Sequence, residues 1–191
     1  MSRYYYYFAS TLQTLALGVP APLTSQEFLD RCRRHLGSGD QEAVEAAVLV
    51  SAPAGPPAAT AGSPLLVRYY AWERTLRNEL VHLRARKLER PADPWLKAAG
   101  RDDAAARVAP GVFQAVSPLE AEMLVERFRW QAIGALKVLH FFDLDSIAAY
   151  RLELQILERL ARFRQEQGEA RYRDTYAAIL GAAQPALGVE Q

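Results

Sequence analysis

The clearest alternation of apolar and polar positions lies in residues 117–168, where apolar side chains recur at spacings of three and four residues. This spacing places them on one face of an α-helix. The first run comprises Leu119, Met123, Leu124, Phe128, Ala132, Ala135, Leu136 and Leu139. The second comprises Ile147, Tyr150, Leu154, Leu157 and Ala161, widened by Ile156, Leu160 and Phe163. Only residues 140–144 separate the runs, so the pattern predicts a long antiparallel helix hairpin, in which Trp130 and Tyr150 pack across the two helices.

The residues at the ends of this hairpin favour the same boundaries. Ser117, Pro118 and Glu120 have the spacing of a capping box with proline at the first helical position. Asp143 or Asp145 is suited to cap the second helix. Gly168 follows the last periodic residue and predicts a left-handed cap that ends the second helix there.

A third long helix is predicted to start at Ser63 and Pro64 and to end before Pro91. Its inward face is Leu65, Tyr69, Trp72, Leu76, Leu80 and Leu83. Between Leu65 and Pro91 the chain carries seven Lys or Arg residues against three Glu residues, so the other face is basic. We expect that face to pair with acidic residues of neighbouring helices, such as Glu120, Glu122 and Glu126. A nucleic-acid contact is the less favoured alternative, because no binding motif accompanies the arginines.

Shorter helices and one loop complete the predicted organisation. Residues 24–36 open with a capping box at Thr24 and Glu27, and a second short helix is expected over 40–50. These belong to an N-terminal helical segment, residues 1–50. Residues 51–64 are rich in Pro, Gly and Ala and predict a linker or loop. Residues 65–181 form the main bundle, with a last short helix at 169–180, and 182–191 form a flexible tail.

The N-terminus carries five consecutive aromatic residues, from Tyr4 to Phe8. They cannot all face one core, and the run has no period that decides between a short strand and a first helix. Exposed tyrosines offer rigid contact area with a polar tip. The favoured interpretation is that alternate rings anchor the segment in the core and the others lie half exposed, and the alternative is that the exposed rings contact a partner protein. The candidate partner-binding residues are Tyr4, Tyr5, Tyr6 and Tyr7, together with Arg74, Arg77 and Arg84 of the basic helix.

The predicted fold is an all-α bundle built on the long hairpin, and composition agrees with one globular domain or one domain with a small appendage. Half of the 191 residues are hydrophobic, enough for a sizeable core, and 23 basic residues face 22 acidic ones. The near-zero charge disfavours a protein that coats nucleic acid or an acidic membrane. A lone Cys32 excludes an intramolecular disulfide. No signal-peptide pattern and no apolar run long enough to span a bilayer is found, so we expect a cytoplasmic location.

Candidate chemistry is sparse. Glu79 and His82 form one Glu-x-x-His pair, whereas a dimetal helical bundle needs two such pairs. His35 and His140 are isolated, and the sequence has no phosphate-binding loop, dinucleotide fingerprint or nucleophile elbow. We therefore predict no catalytic residue, metal site or cofactor. The alternative is a small-molecule enzyme with a charged pocket between the long helices, with Arg77, Glu79 and His82 as its candidate group.

Three stretches carry a family resemblance. YYYYFASTLQTLALG, PLEAEMLVERFRW and, most specifically, FFDLDSIAAYRLELQILERLARFRQEQG resemble a small bacterial family encoded beside V-type ATP synthase subunits. That family in turn resembles a distant, shortened version of a rotary ATPase component, the one designated C in bacteria and archaea and d in eukaryotes. We refer to this component as the socket component. The resemblance covers about half of this chain and contains no catalytic signature.

The resemblance implies an all-helical, non-enzymatic coupling part in ion transport. The socket component sits on the membrane rotor ring and receives the foot of the central stalk. The implied partners are stalk and rotor-ring subunits, and the implied membrane association is peripheral, through these proteins only. This chain is much shorter than a full socket component, so part of the socket is expected to be missing.

Overall fold

The fold is all-α, as predicted. The computed structural model describes residues 4–50, 55–98, 100 and 102–183, with side chains described up to residue 163. Within these ranges there are seven α-helices and no β-strand beyond one isolated bridge. The helices are α1 (Tyr6–Thr11), α2 (Ser25–His35), α3 (Ser38–Glu45), α4 (Pro64–Lys87), α5 (Asp103–Phe113), α6 (Pro118–Leu136) and α7 (Leu144–Ala183). Short 3-10 turns cover Ala58–Gly62 and Asp93–Trp95.

Helix α7 is the central element. It forms the predicted hairpin with α6, and it also packs on α2, α3 and α4. Between Ile147 and Leu157 it is buried on nearly all sides, the pattern of a helix enclosed by a core. One side joins a cluster with α4, α5 and α6, and the other joins a cluster with the N-terminal segment and α2. Trp130 of α6 contacts both clusters, and Tyr150 belongs to the second.

The predicted helix starts are confirmed with one change in detail. Thr24 and Glu27 form a full capping box, and Ser63 accepts a hydrogen bond from the backbone N–H of Leu66 at 3.2 Å. Ser117 likewise accepts from the N–H of Glu120 at 3.1 Å, but the Glu120 carboxylate accepts from the N–H of Val116 instead of completing the box. Of the two candidate caps of α7, Asp143 is the one used, since its Oδ1 accepts from the N–H of Ser146 at 2.9 Å.

Two predicted helix ends are wrong. Helix α7 continues through Gly168 to Ala183, so it includes the separate helix predicted at 169–180. Helix α3 ends at Glu45 rather than near Val50. Beyond it the backbone is held by side chains: Gln155 bonds Ala47 O and Leu49 N, and Tyr69 donates to Leu49 O at 2.9 Å. These bonds satisfy backbone groups that a longer helix would have paired internally.

The predicted loop and tail are described only in part. Residues 51–54 lie outside the described residues, and the rest of 51–64 includes the 3-10 turn Ala58–Gly62 with Thr60 buried. Of the tail predicted at 182–191, the first two residues belong to α7 and the others lie outside the described part. No helix in the described ranges has the length and apolar character needed to cross a membrane.

Candidate docking surface

The N-terminal segment and the α6–α7 turn together expose a set of large apolar side chains, which we call the aromatic patch. Its members are Tyr4, Tyr6, Val138, Leu139, Phe141 and Phe142. The rings of Tyr4 and Tyr6 stack with centroids 5.5 Å apart, and the Tyr6 and Phe142 rings are 5.0 Å apart. A contiguous exposed apolar surface of this kind marks an interaction site more often than scattered single residues do.

The backbone holds the two halves of the aromatic patch together. Tyr4 forms an antiparallel bridge with Asp143, and the N–H of Tyr5 donates to Phe142 O at 2.5 Å. Leu139 has a φ of 71°, in the left-handed region that bulky residues rarely adopt, and its side chain is 82% exposed. Because this side chain gains little from core packing, Leu139 adds to the exposed apolar surface.

A cavity of about 560 Å³ adjoins the aromatic patch. Its apolar lining comes from residues 9–15 and from the α6–α7 turn, and includes Leu12, Leu15, Val138, Leu139, Phe141 and Ile147. Lys137 and Glu153 also line it and form an ion pair. Burial raises the pKa of Glu153, while the hydrogen bond and charge of Lys137 oppose that shift. The cavity is thus largely apolar, with one ion pair in its wall.

An ionic network joins α4, α6 and α7, with three buried members at its centre and three partly exposed members at its edge. It contains three arginines and three glutamates: Arg77, Arg129, Arg159, Glu73, Glu122 and Glu126. Arg129 donates to Glu126 at 2.6 Å and to Glu73 at 2.8 Å, and all three side chains are nearly inaccessible. Burial raises the pKa of Glu126, and the charges of Arg129 and Arg159 oppose this. The pairing keeps charges inside the bundle that would be costly alone.

This network corrects two predictions. The buried residues of α6 are Glu126, Arg129 and Ile133. Of the predicted apolar face, Leu124, Phe128, Ala132 and Leu136 pack on the core, whereas Met123, Ala135 and Leu139 are exposed. The acidic partners expected for the basic face of α4 are also engaged elsewhere. Glu122 and Glu126 pair with Arg159 and Arg129, and Glu120 accepts a hydrogen bond from the backbone N–H of Val116.

The predicted partner-binding residues are dispersed. Tyr4 and Tyr6 lie in the aromatic patch, but Tyr5 is half-buried with its hydroxyl donating to Asp40. Tyr7 is exposed beside the His35 ring, at a centroid distance of 5.8 Å. Phe141 and Phe142 were predicted only to lie in the segment that separates the two hairpin helices. Two consecutive aromatic residues in that segment were the sequence feature that could have indicated an exposed contact surface.

The three predicted arginines do not form one surface. Arg74 donates to Ala98 O at 2.8 Å, and Arg77 donates to Glu73 at 2.9 Å as part of the ionic network. Of the three, Arg84 alone is exposed. Within the described residues, Arg77, Glu79 and His82 share no hydrogen bond or ion pair, Glu79 is half-buried and His82 points to solvent.

The cysteine and the histidine–aspartate group near the α6–α7 turn are two further candidate sites of chemistry. Cys32 is fully buried, and desolvation raises the pKa of its thiol to about 12, which keeps it protonated and unreactive at neutral pH. His140 lies 2.6 Å from Asp143 and 3.7 Å from Asp145. Across the described ranges, no group of three or more potential ligands has a geometry suited to a metal ion.

Comparisons with protein-family models, with curated proteins and with solved structures found no match to this chain. The family relation inferred from the three sequence stretches therefore stays a prediction.

Proposed function

We propose that this chain is a non-catalytic subunit or accessory protein of a V-type rotary ATP synthase, linking the central stalk and the membrane rotor ring in the manner of the socket component. The aromatic patch is the observation that carries this proposal. It is assembled from two of the stretches that carry the family resemblance, since one supplies Tyr4 and Tyr6 and the other supplies Phe141 and Phe142. Exposed Tyr and Phe are enriched where proteins contact one another.

The helical framework is suited to transmitting force. Helix α7 has 40 residues, a length of about 60 Å at 1.5 Å per residue. The ionic network fixes α4, α6 and α7 to one another, and charged hydrogen bonds with defined geometry resist sliding of one helix along another. A coupling part needs this stiffness together with a protein-binding surface at one end. In this proposal the chain is cytoplasmic and reaches the membrane through its protein partners.

The test is affinity purification of the tagged chain from native membranes solubilised in a mild detergent. We expect V-type ATP synthase stalk or rotor-ring subunits to copurify with the unaltered chain. The double substitution Tyr6→Ala and Phe141→Ala should remove most of that recovery, because it deletes two rings of the patch. Val67→Ala with Val116→Ala is the matched control, since both valines are exposed and lie outside the patch.

Two outcomes would count against the proposal. If the unaltered chain recovers no rotary ATPase protein under these conditions, the assignment fails. If the patch variant and the valine control recover equal amounts, the aromatic patch is not the contact surface.

A small-molecule-binding protein is the second candidate, and the cavity beside the patch favours it. Its volume lies within the usual range of about 300–1,000 Å³ for ligand sites. Gly134 lines the cavity and has open space where a side chain would project. A metabolite that raises the melting temperature of the unaltered chain, but not of Gly134→Leu, would support this candidate. A screen of central metabolites with no such compound would argue against it.

A further inference from the structure

The end of α4 and the segment after it expose a second surface, which we call the basic corner. Residues 84–97 contain five basic side chains against two acidic ones: Arg84, Arg86, Lys87, Arg90 and Lys97 against Glu89 and Asp93. All seven are exposed. Within the described residues, none of the five cations forms an ion pair with a carboxylate. Lys87 does lie over the Phe113 ring, 5.7 Å from its centroid, a contact that leaves its positive charge unneutralised.

Two large apolar side chains of the same stretch are also exposed. Leu88 is 63% exposed and Trp95 is 72% exposed. The chain has three tryptophans, and the other two contribute to the core: Trp72 is 6% exposed and Trp130 is partly buried. Trp95 is therefore the one tryptophan whose indole is presented to the surroundings.

The backbone of the basic corner is well defined. Glu89 has a φ of 51°, and the N–H of Arg90 donates to Ala85 O at 3.0 Å, which together close the helix with a Schellman motif. The returning segment is fixed to α4 by reciprocal hydrogen bonds between Asn78 and the backbone of Lys97, at 2.7 and 3.0 Å. Leu88 and Trp95 are thus held outward by an ordered turn.

Helix electrostatics explain only part of this arrangement. Basic side chains in the last turn of a helix interact favourably with its dipole, which accounts for Arg84, Arg86 and Lys87. Arg90 and Lys97 lie beyond the helix, where that effect has faded. The dipole also gives no reason for an exposed leucine and an exposed indole in the same place.

We infer that the basic corner binds the anionic headgroup surface of a phospholipid bilayer. Lys and Arg side chains are attracted to anionic lipid, aliphatic side chains enter the headgroup region, and tryptophan prefers the membrane interface. The basic corner supplies all three kinds of side chain. It has five cations without a carboxylate partner, an exposed aliphatic residue in Leu88 and an exposed indole in Trp95. This contact would be direct, in addition to the protein-mediated association of the proposed function, and it does not depend on that function.

RNA is the less suitable partner for the same cations. Single-stranded nucleic acid is bound by several aromatic side chains that stack successive bases, and the basic corner offers one. Leu88 has no role in contacting phosphates. An RNA contact is therefore treated as an outcome of the test.

The experiment measures binding of the purified full chain to vesicles of phosphatidylcholine, with and without about one third phosphatidylglycerol. We expect binding to the anionic vesicles that weakens with added salt, and a blue shift of tryptophan emission as Trp95 leaves water. The double substitution Arg86→Glu with Lys87→Glu should lower the partition coefficient at least about tenfold. Each cation near an anionic surface adds to the binding free energy, and the introduced carboxylates are repelled by that surface. Trp95→Phe should remove the blue shift while most of the binding is retained.

The matched control is Arg34→Glu with Arg68→Glu, which changes the net charge equally at two exposed arginines outside the basic corner. Melting curves for each variant establish that it is folded before binding is compared. The inference is overturned if the unaltered chain does not bind anionic vesicles. It is equally overturned if both charge-reversal pairs weaken binding alike, or if a single-stranded RNA oligonucleotide binds at the basic corner and anionic vesicles do not.

Discussion

At the scale of single residues, the inner face of α6 shows where the sequence pattern was insufficient. Hydrophobic periodicity predicts that apolar side chains turn inward, and on α4 this prediction was correct for Leu65, Tyr69, Trp72, Leu76 and Leu80. On α6 it was correct in part: Leu124, Phe128, Ala132 and Leu136 pack on the core, but Glu126 and Arg129 are more deeply buried because they pair with charges on other helices. Periodicity within one segment carries no information about such charged partners on distant helices.

The ionic network gives a direct prediction for Arg129. Replacement by Met removes the guanidinium that joins Glu73 and Glu126 and leaves buried carboxylates without their main partner. We expect a loss of about 3–5 kcal/mol in the free energy of unfolding, measured by urea denaturation. Arg33→Met is the control, because its pairs with Asp30 and Glu45 are exposed and should be worth less than about 1 kcal/mol. Equal effects of the two substitutions would contradict a stabilising role for the buried network.

At the scale of helices, the starts were more predictable than the ends. Thr24, Ser63 and Ser117 act as caps through side chains next to the groups they bond, so sequence alone locates them. Gly168 resembled a C-terminal cap, but the surrounding Arg, Gln, Glu and Ala residues are strong helix formers. A single glycine costs a helix only about 1 kcal/mol, which such neighbours outweigh.

The substitution Gly168→Ala distinguishes a continuous helix from a left-handed cap at Gly168, because the change in the free energy of unfolding has opposite signs in the two cases. Inside a continuous helix, alanine should stabilise the chain by about 0.5–1 kcal/mol and raise the helical circular dichroism signal slightly. At a left-handed cap, alanine would be destabilising because its Cβ disfavours that conformation. A decrease in the melting temperature of the variant would therefore show that α7 ends near Gly168.

At the scale of the whole molecule, the hairpin proved to be the centre of the fold, and α7 is shared by both hydrophobic clusters. Two of the six residues of the aromatic patch, Tyr4 and Tyr6, were among the predicted partner-binding residues. The other four depend on the fold bringing residues 138–142 beside these tyrosines. The cavity and the basic corner likewise depend on tertiary contacts or on exposure that local sequence does not specify.

Trp130 tests whether the two clusters unfold as one unit. Its side chain contacts both, so Trp130→Ala should lower the free energy of unfolding by about 3 kcal/mol while a single cooperative transition remains. Trp95→Ala is the control, because that side chain is mostly exposed and its loss should cost less than about 0.5 kcal/mol. A wild-type melting curve for Trp130→Ala would exclude a core role.

Because Cys32 is buried, alkylation of the chain's one thiol reports when the surrounding structure opens. The side chain is inaccessible and its pKa is raised to about 12, so alkylation requires the surrounding cluster to open. Because Cys32 contacts the cluster that α7 joins to the rest of the fold, iodoacetamide incorporation at mildly alkaline pH should follow the opening of that cluster. Mass spectrometry of labelled chains would then time this opening without any engineered probe. The same measurement on assembled complexes would reveal whether a bound partner slows it.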